Sequence, residues 1–413
     1  MAAVTPPVFG LLLFAALEIT PVGPGTALWA APAILLAAML IAWAAESAQY
    51  FIAQGFALAI LAWLQTLPEF AVEAVLAWKQ QVPLLMANLT GALRLLTGLG
   101  WPMIYCVAAF CYRRKHKQPL GRIKLEDGHC VEVVGLLVPL VYFFFVWWKA
   151  SLTIFDAVIL ILIYAGYLIV LSRMPPEDIE SVDEMELIPR TIVKARPGVR
   201  RAVIGGLFLA GGLLIYFTAE PFLGSLLAIS AMIGVPSFVF VQWVAPFVSE
   251  FPEKVSAFYW ARTVDRASMA LMNMVSSNIN QWTLLAAMLP IVYSISRGTP
   301  SAIPLDGQQE LEIAMTLGHS LIGMLFLINM ELVWWEASTL FGLWALQFAL
   351  SPVTPGPGAF GFLATHIHLW VTYLYFAWSG IEVVRMLAGK RNPEALRLFA
   401  VMWRRHVTRS EAR

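Results

Sequence analysis

The sequence predicts an all-α polytopic membrane protein. We read it as two inverted repeats of about five transmembrane helices each, plus an extra C-terminal helix. Three observations point there: the composition, the alternation of apolar stretches with one-sided basic loops, and short motifs that recur at a near-constant offset.

Of the 413 residues 60% are hydrophobic, 13% aromatic and only 13% charged. A soluble domain carries about 25% charged residues. Mean hydropathy is +0.74. With 27 Lys and Arg against 26 Asp and Glu, bulk charge gives no grip on nucleic acid. These values exclude a soluble enzyme, a disordered chain and a disulfide scaffold. Cys106, Cys111 and Cys130 show no paired spacing and imply neither a disulfide nor a thiolate metal site.

The first Lys or Arg is Lys79, so the N-terminus lacks the basic start of a secretory signal. Within the N-terminal segment 1–27, the 13 apolar residues of Val8–Thr20 fall short of a span and read as an interfacial helix. Apolar stretches then run over about 28–45, 50–78, 83–111, 131–149 and 152–171, the first repeat (28–171). After the polar gap 172–201 they resume over about 202–231, 235–261, 267–296, 313–335 and 338–350, the second repeat (202–350). The segment 351–389 holds one more, at about 360–388, and 390–413 is a basic tail. Lipid offers no hydrogen bonds to a backbone, so these roughly eleven spans must be helices.

Charge orients them. The loop 113–130 carries six Lys or Arg, the gap 172–201 six, and the tail from Arg385 eight; Arg262 and Arg266 flank another turn. Alternating spans put all four regions on one side and leave the other with Lys79, Lys149 and Arg297. The basic side is then cytoplasmic, with the C-terminus inside, in a bacterial inner (plasma) membrane.

The repeat is visible in short motifs. VWWKAS (146–151) returns as VWWEAS (333–338) at an offset of 187, and LPEFAVEA (67–74) as FPEKVSAF (251–258) at 184. Asn88 and Asn273 follow at 185, and AES (45–47) meets AEP (219–221). Five spans is an odd number, so the second half enters from the opposite face. Such inverted repeats with Pro-broken helices place a transport site where the halves meet.

Pro68 and Pro252 each interrupt a long apolar stretch, and each is followed by a carboxylate, Glu69 and Glu253. Proline frees carbonyls of the preceding turn. A charge at bilayer depth costs at least ~2.5 kcal/mol and is kept for a function. Freed carbonyls and a carboxylate from each half make an oxygen-rich, doubly negative pocket for a hard cation such as Ca²⁺ or Na⁺. Glu69 and Glu253 are therefore the candidate metal ligands.

These residues resemble the cation/calcium exchanger family, the sodium/calcium exchanger-type membrane proteins. The first half offers LQTLPE (64–69) and then ANLTGALRL (87–95); the second offers VSEFPE (248–253) and then MNMVSSNINQ (272–281). The approach GVPSFVFVQWVAPFVSEFPE (234–253) and the acidic Glu220 are also similar. The resemblance covers nearly all ten spans of the two halves; the last helix lies outside it. It implies that Glu69 and Glu253 are the central ion-coordinating carboxylates, with Thr66 and Ser249 offering oxygens from the two breaks. Ser276 or Ser277, with Asn280 or Gln281, would complete the set, while Asn88 and Asn273 pack the helix crossing.

The departures bear on the ion cycle. Ala92 and Leu96 replace two oxygen donors in the first half, Arg94 sits in the same helix, and Lys254 follows Glu253. Glu73 and Glu250 lie on the same helix faces as Glu69 and Glu253; they either restore acidity or pair with Lys254 and Arg94. Fewer ligands favour proton-coupled exchange over a multi-sodium cycle. The expectation is a secondary active cation antiporter that exchanges Ca²⁺, or another cation, against Na⁺ or H⁺ by alternating access. In it, the first spans, about 28–54 with Glu46 and 202–231 with Glu220, slide against the core. The alternative is an exchanger fold that has lost transport and serves as a subunit or regulator. Neither is an enzyme. His319, His366 and His368 form no HExxH-type motif, no cofactor is expected, and the partners are inorganic cations as substrates and the lipid bilayer.

Overall fold

The computed structural model describes residues 22–51, 62–174, 182, 185–353 and 358–408. The expected interfacial helix Val8–Thr20 lies outside them. The described chain is a polytopic helical membrane protein: six helices are long and apolar enough to cross a membrane.

Helix α1 (Ala27–Ala48) is apolar around most of its circumference, with Glu46 buried near its end. After the break at Thr66, Pro68 stands in the first turn of α2 (Leu67–Trp78). Proline cannot donate and its ring collides with the carbonyl four residues back, so the long apolar stretch divides here. The amides of Glu69 and Phe70 both turn to the Thr66 carbonyl, at 3.0 and 3.2 Å. Helix α3 (Val82–Leu95) runs through a π-turn, Leu96–Gly100, into α4 (Trp101–His116), giving a continuous 35-residue span. A three-residue strand β1 (Arg122–Lys124), helix α5 (Cys130–Trp148), strand β2 (Ser151–Leu152) and helix α6 (Ile154–Ser172) follow. Thr153 and Asp156 cap α6 reciprocally.

Beyond the amphipathic α7 (Leu187–Lys194) the same order returns. Helix α8 (Pro197–Ile233) is the long apolar opener; α9 (Ser237–Ser249) and α10 (Phe251–Arg262) are one stretch broken before Pro252. Helix α11 (Ala267–Asn280), a π-turn at Gln281–Leu285 and α12 (Ala286–Arg297) again form one rod. The two π-turns are separated by the same 185 residues as Asn88 and Asn273. Strand β3 (Ile303–Pro304), α13 (Gly307–Leu327), β4 (Glu331–Val333) and α14 (Trp334–Leu350) complete the order, with α15 (Ala359–Leu387) and α16 (Glu394–Met402) added after it.

The strands pair crosswise and antiparallel. β1 joins β4 with Ile123 opposite Leu332, and β2 joins β3 with Leu152 opposite Ile303. The ribbon before α5 is thus closed by the one after α13, and the reverse. The C-terminal helix α15 is tied in by Arg391, which donates to Glu336 at 2.7 Å, to the Phe326 carbonyl at 2.8 Å and to Glu382 at 3.1 Å.

Between lipid-embedded helices burial of apolar surface supplies little drive, and close backbone approach takes over. Helix α8 lies along α1 at Gly211, where a Cβ would come 2.7 Å from Ile41 and 3.0 Å from the Ala37 carbonyl. The tightest crossing is α3 on α9: a Cβ on Gly91 would fall 1.9 Å from the Gln242 carbonyl oxygen. Only backbone displacement relieves that clash. We therefore expect Gly91→Ala to destabilise the protein by about 1–3 kcal/mol, the range for overpacking. Detergent-solubilised protein should melt several degrees lower, and an unchanged melting curve would contradict the crossing as described.

Candidate functional site

The two Pro breaks bring α2 and α9–α10 to the middle of α3 and α11, and the polar side chains of the core collect there. Glu69, at the first turn of α2, is fully buried. Its Oε2 accepts from Gln281 Nε2 at 2.8 Å, and the same nitrogen donates to Glu250 Oε1 at 2.7 Å. One amide from the π-turn after α11 therefore holds a carboxylate from each half of the chain. Thr66, in the break itself, donates to the Trp63 carbonyl at 2.9 Å and accepts from Asn280 Nδ2 at 2.6 Å. Glu253, likewise fully buried, accepts from the Ser277 hydroxyl. Ser249 donates back to the Ala245 carbonyl at 3.1 Å. Ser276, one residue from Ser277 and so turned by ~100° around the helix, meets the Tyr167 hydroxyl of α6 at 3.1 Å instead.

Sequence spacing pairs Glu69 with Glu253. The side chain that shares a donor with Glu69 is Glu250, one turn earlier, while Glu253 is tied to α11 through Ser277. Glu73 accepts from Asn88 at 2.9 Å, and Asn273 donates to Gln65 at 3.3 Å, so each asparagine meets a side chain outside its own helix. Several oxygens around these contacts have no hydrogen-bond donor: Glu69 Oε1, Glu73 Oε2, Glu253 Oε2, Asn280 Oδ1 and Gln281 Oε1. Carboxylate and amide oxygens only accept, so these five buried oxygens are acceptors that no protein donor meets. Among the described residues no group of three or more His, Cys, Asp or Glu side chains converges as a metal site. The donor set is instead a mixture of carboxylate, amide, hydroxyl and carbonyl oxygen, the chemistry of a hard cation rather than of zinc.

The two basic side chains behave differently. Lys254 donates to Glu250 at 2.5 Å inside the cluster. Arg94 turns away: two residues beyond Ala92 on α3, it faces the other side of that helix and donates to Glu312 of α13 at 2.6 Å. Gln242 donates to the same carboxylate oxygen at 2.8 Å, and His368 of α15 lies 2.8 Å from the other. Sequence spacing did not single out Glu312 or Gln242. Glu312 falls just before the apolar stretch at 313, and Gln242 hides inside one; a buried-charge search keyed to Arg94 would have found the first. His319 stacks on Tyr375 with ring centroids 4.8 Å apart, and His366 is half-buried between the rings of Phe362 and Trp370. At the edge of the core, Lys79 after α2 forms an ion pair with Glu220 in the middle of α8.

The sodium/calcium exchanger protein family model matches residues 24–173 and 203–351. Among solved structures, an H⁺/Ca²⁺ exchanger, CAX, is similar over 97% of this chain and 95% of its own, at 30% identity and a TM-score of 0.82. Native YfkE (14% identity, TM-score 0.59, 84% of this chain and 98% of its own) shares the fold. So does the sodium–calcium exchanger NCX_Mj (17% identity, TM-score 0.52, 82% and 99%). No curated protein sequence matches. The buried carboxylates at two Pro breaks and the match across both halves lead to one conclusion: the chain belongs to the sodium/calcium exchanger family and is a cation antiporter, a transporter rather than an enzyme.

Proposed function

We propose that this protein exchanges Ca²⁺ for H⁺ by alternating access, at a site between two inverted halves, 28–171 and 202–350, joined by the segment 172–201. The observation that carries the reading is the single amide of Gln281 bridging Glu69 and Glu250 across the halves, amid acceptor oxygens that lack donors. The inverted relation is supported by the crosswise ribbons β1–β4 and β2–β3 and by the matching π-turns. Protons as the counter-ion are supported by the 30% identity to an H⁺/Ca²⁺ exchanger. Ala92 and Leu96 support it too, since they leave the first half without oxygens where the second has Ser277 and Gln281. The basic loops support a cytoplasmic C-terminus in a bacterial inner membrane.

In this reading Glu69 and Glu253 are the cation carboxylates, helped by Thr66, Ser249, Ser276 or Ser277, Asn280 and Gln281. Calcium takes six to eight oxygens. A carboxylate cannot hold a proton and Ca²⁺ at once, so occupancy by one excludes the other. Helices α1 and α8, packed on each other through Gly211, move together against the core of α2–α3 and α9–α11. The ion pair Lys79–Glu220 joins the two bodies in the state described here.

Two measurements test it. Proteoliposomes with an imposed pH gradient should accumulate ⁴⁵Ca²⁺. Glu69→Gln and Glu253→Gln should each lower apparent Ca²⁺ affinity by about a hundredfold, the ~3 kcal/mol of a buried charged contact; unaltered uptake in either variant refutes its role. In a background with Cys106, Cys111 and Cys130 replaced, a Lys79→Cys/Glu220→Cys pair joined by a short bifunctional reagent should stop flux. Reducing the link should restore flux, and transport that continues through it excludes the sliding mechanism.

A further inference from the structure

Glu250 and Lys254 have no charged counterparts in the first half. The offset of 184 that superposes Glu253 on Glu69 places them on Thr66 and Phe70, both neutral. The two charges thus come together, in one half only. They face each other over one helical turn: Lys254 Nζ meets Glu250 Oε2 at 2.5 Å, and the Lys254 amide donates to the Glu250 carbonyl at 3.2 Å. Both side chains are withdrawn from solvent, Lys254 with 6% and Glu250 with none of its side chain exposed. Solvent screens a pair so withdrawn far less than one at the surface.

The pair is also part of the cation site. Glu250 Oε1 takes its hydrogen bond from the Gln281 nitrogen that holds Glu69. Lys254 follows Glu253 directly in α10, so the pair stands beside both candidate exchange carboxylates. Arg94, the other basic residue near the core, is taken up by Glu312, and Glu73 is held by the neutral amide of Asn88. We propose that Lys254 is a resident cation of the exchange site: by neutralising Glu250 it occupies the charge place of one monovalent cation and sets the coupling ratio one charge lower per Ca²⁺. This rests on Glu69 and Glu253 being the exchange carboxylates. A buried charge left without its partner costs several kcal/mol, so removing one member forces the site to recruit or release a compensating charge. A purely structural ion pair would alter stability and leave the ratio untouched.

The experiment measures the ratio rather than the rate. Proteoliposomes are loaded with ⁴⁵Ca²⁺ at a fixed Ca²⁺ gradient, the potential is clamped with K⁺ and valinomycin, and the pH gradient that stops net Ca²⁺ flux is found. Lys254→Gln leaves Glu250 uncompensated and should transport one more monovalent charge per Ca²⁺ than the wild type. Glu250→Gln leaves the ammonium uncompensated and should transport one fewer. Glu250→Gln/Lys254→Gln removes both and should return the wild-type ratio, whatever its rate. Equal ratios in the wild type and Lys254→Gln overturn the proposal. Should Lys254→Gln fail to yield monodisperse protein, Glu250→Gln is compared with the double variant, where equal ratios again overturn it. A wild type that moves no Ca²⁺ under a pH gradient instead refutes the exchange reading itself.

Discussion

A charge placed where water cannot reach it must find a partner, and most of this structure follows from how those partners are supplied. Glu69, Glu73, Glu250, Glu253 and Glu312 are all buried. Glu312 is answered by a guanidinium and an imidazole, Glu250 by an ammonium and an amide, and the other three by one neutral donor each. That grading separates two polar regions of the core. The Arg94–Glu312 contact is internally balanced and reads as a fixed joint between α3, α9, α13 and α15. The cluster around Glu69 and Glu253 is under-balanced, which is the condition a cation from outside can correct.

The helices are arranged to hold that imbalance in place. The Pro breaks open the backbone at Thr66 and Glu250, and the π-turns shift the register at the ends of α3 and α11. Extra backbone at a π-turn is frequent at functional sites because it turns a side chain out of its ordinary helical heading. Here it supplies Gln281, the residue that binds the carboxylates of both halves. In the first half its counterpart is Leu96, and that π-turn serves packing against α14 at Gly98 instead.

Much of this was legible in the sequence. The Pro-Glu breaks announce themselves because proline constrains the backbone and a carboxylate in an apolar stretch is costly. The polytopic helical character followed from hydropathy. The π-turns were not legible: LTGLG and QWTLL carry no common signature, and the extra residue is imposed by packing. The ribbons, two or three residues each, are shorter than any periodicity that could reveal them. Arg94 illustrates another limit. Sequence gives its depth in α3, but its direction, some 200° around the helix from Ala92, depends on which helix lies there. The likeness of Glu69 to Glu253 fixed their alignment and concealed that Glu250 is the one sharing a donor with Glu69.

The crosswise ribbons have a consequence for how the protein is made. Each ribbon has one edge in the first half of the chain and one in the second, so neither edge is satisfied until both halves are in the membrane. When the ribosome has delivered α6, β1 and β2 still await partners that lie some 150 to 210 residues further along. The Glu69 carboxylate likewise waits for Gln281. An early product of translation is therefore an inserted but unclosed bundle, dependent on its own later segment as on a second subunit. A chain cut between α6 and α8 and expressed as two polypeptides meets the same requirement in trans, and its halves are bound to assemble as partners rather than as independent domains.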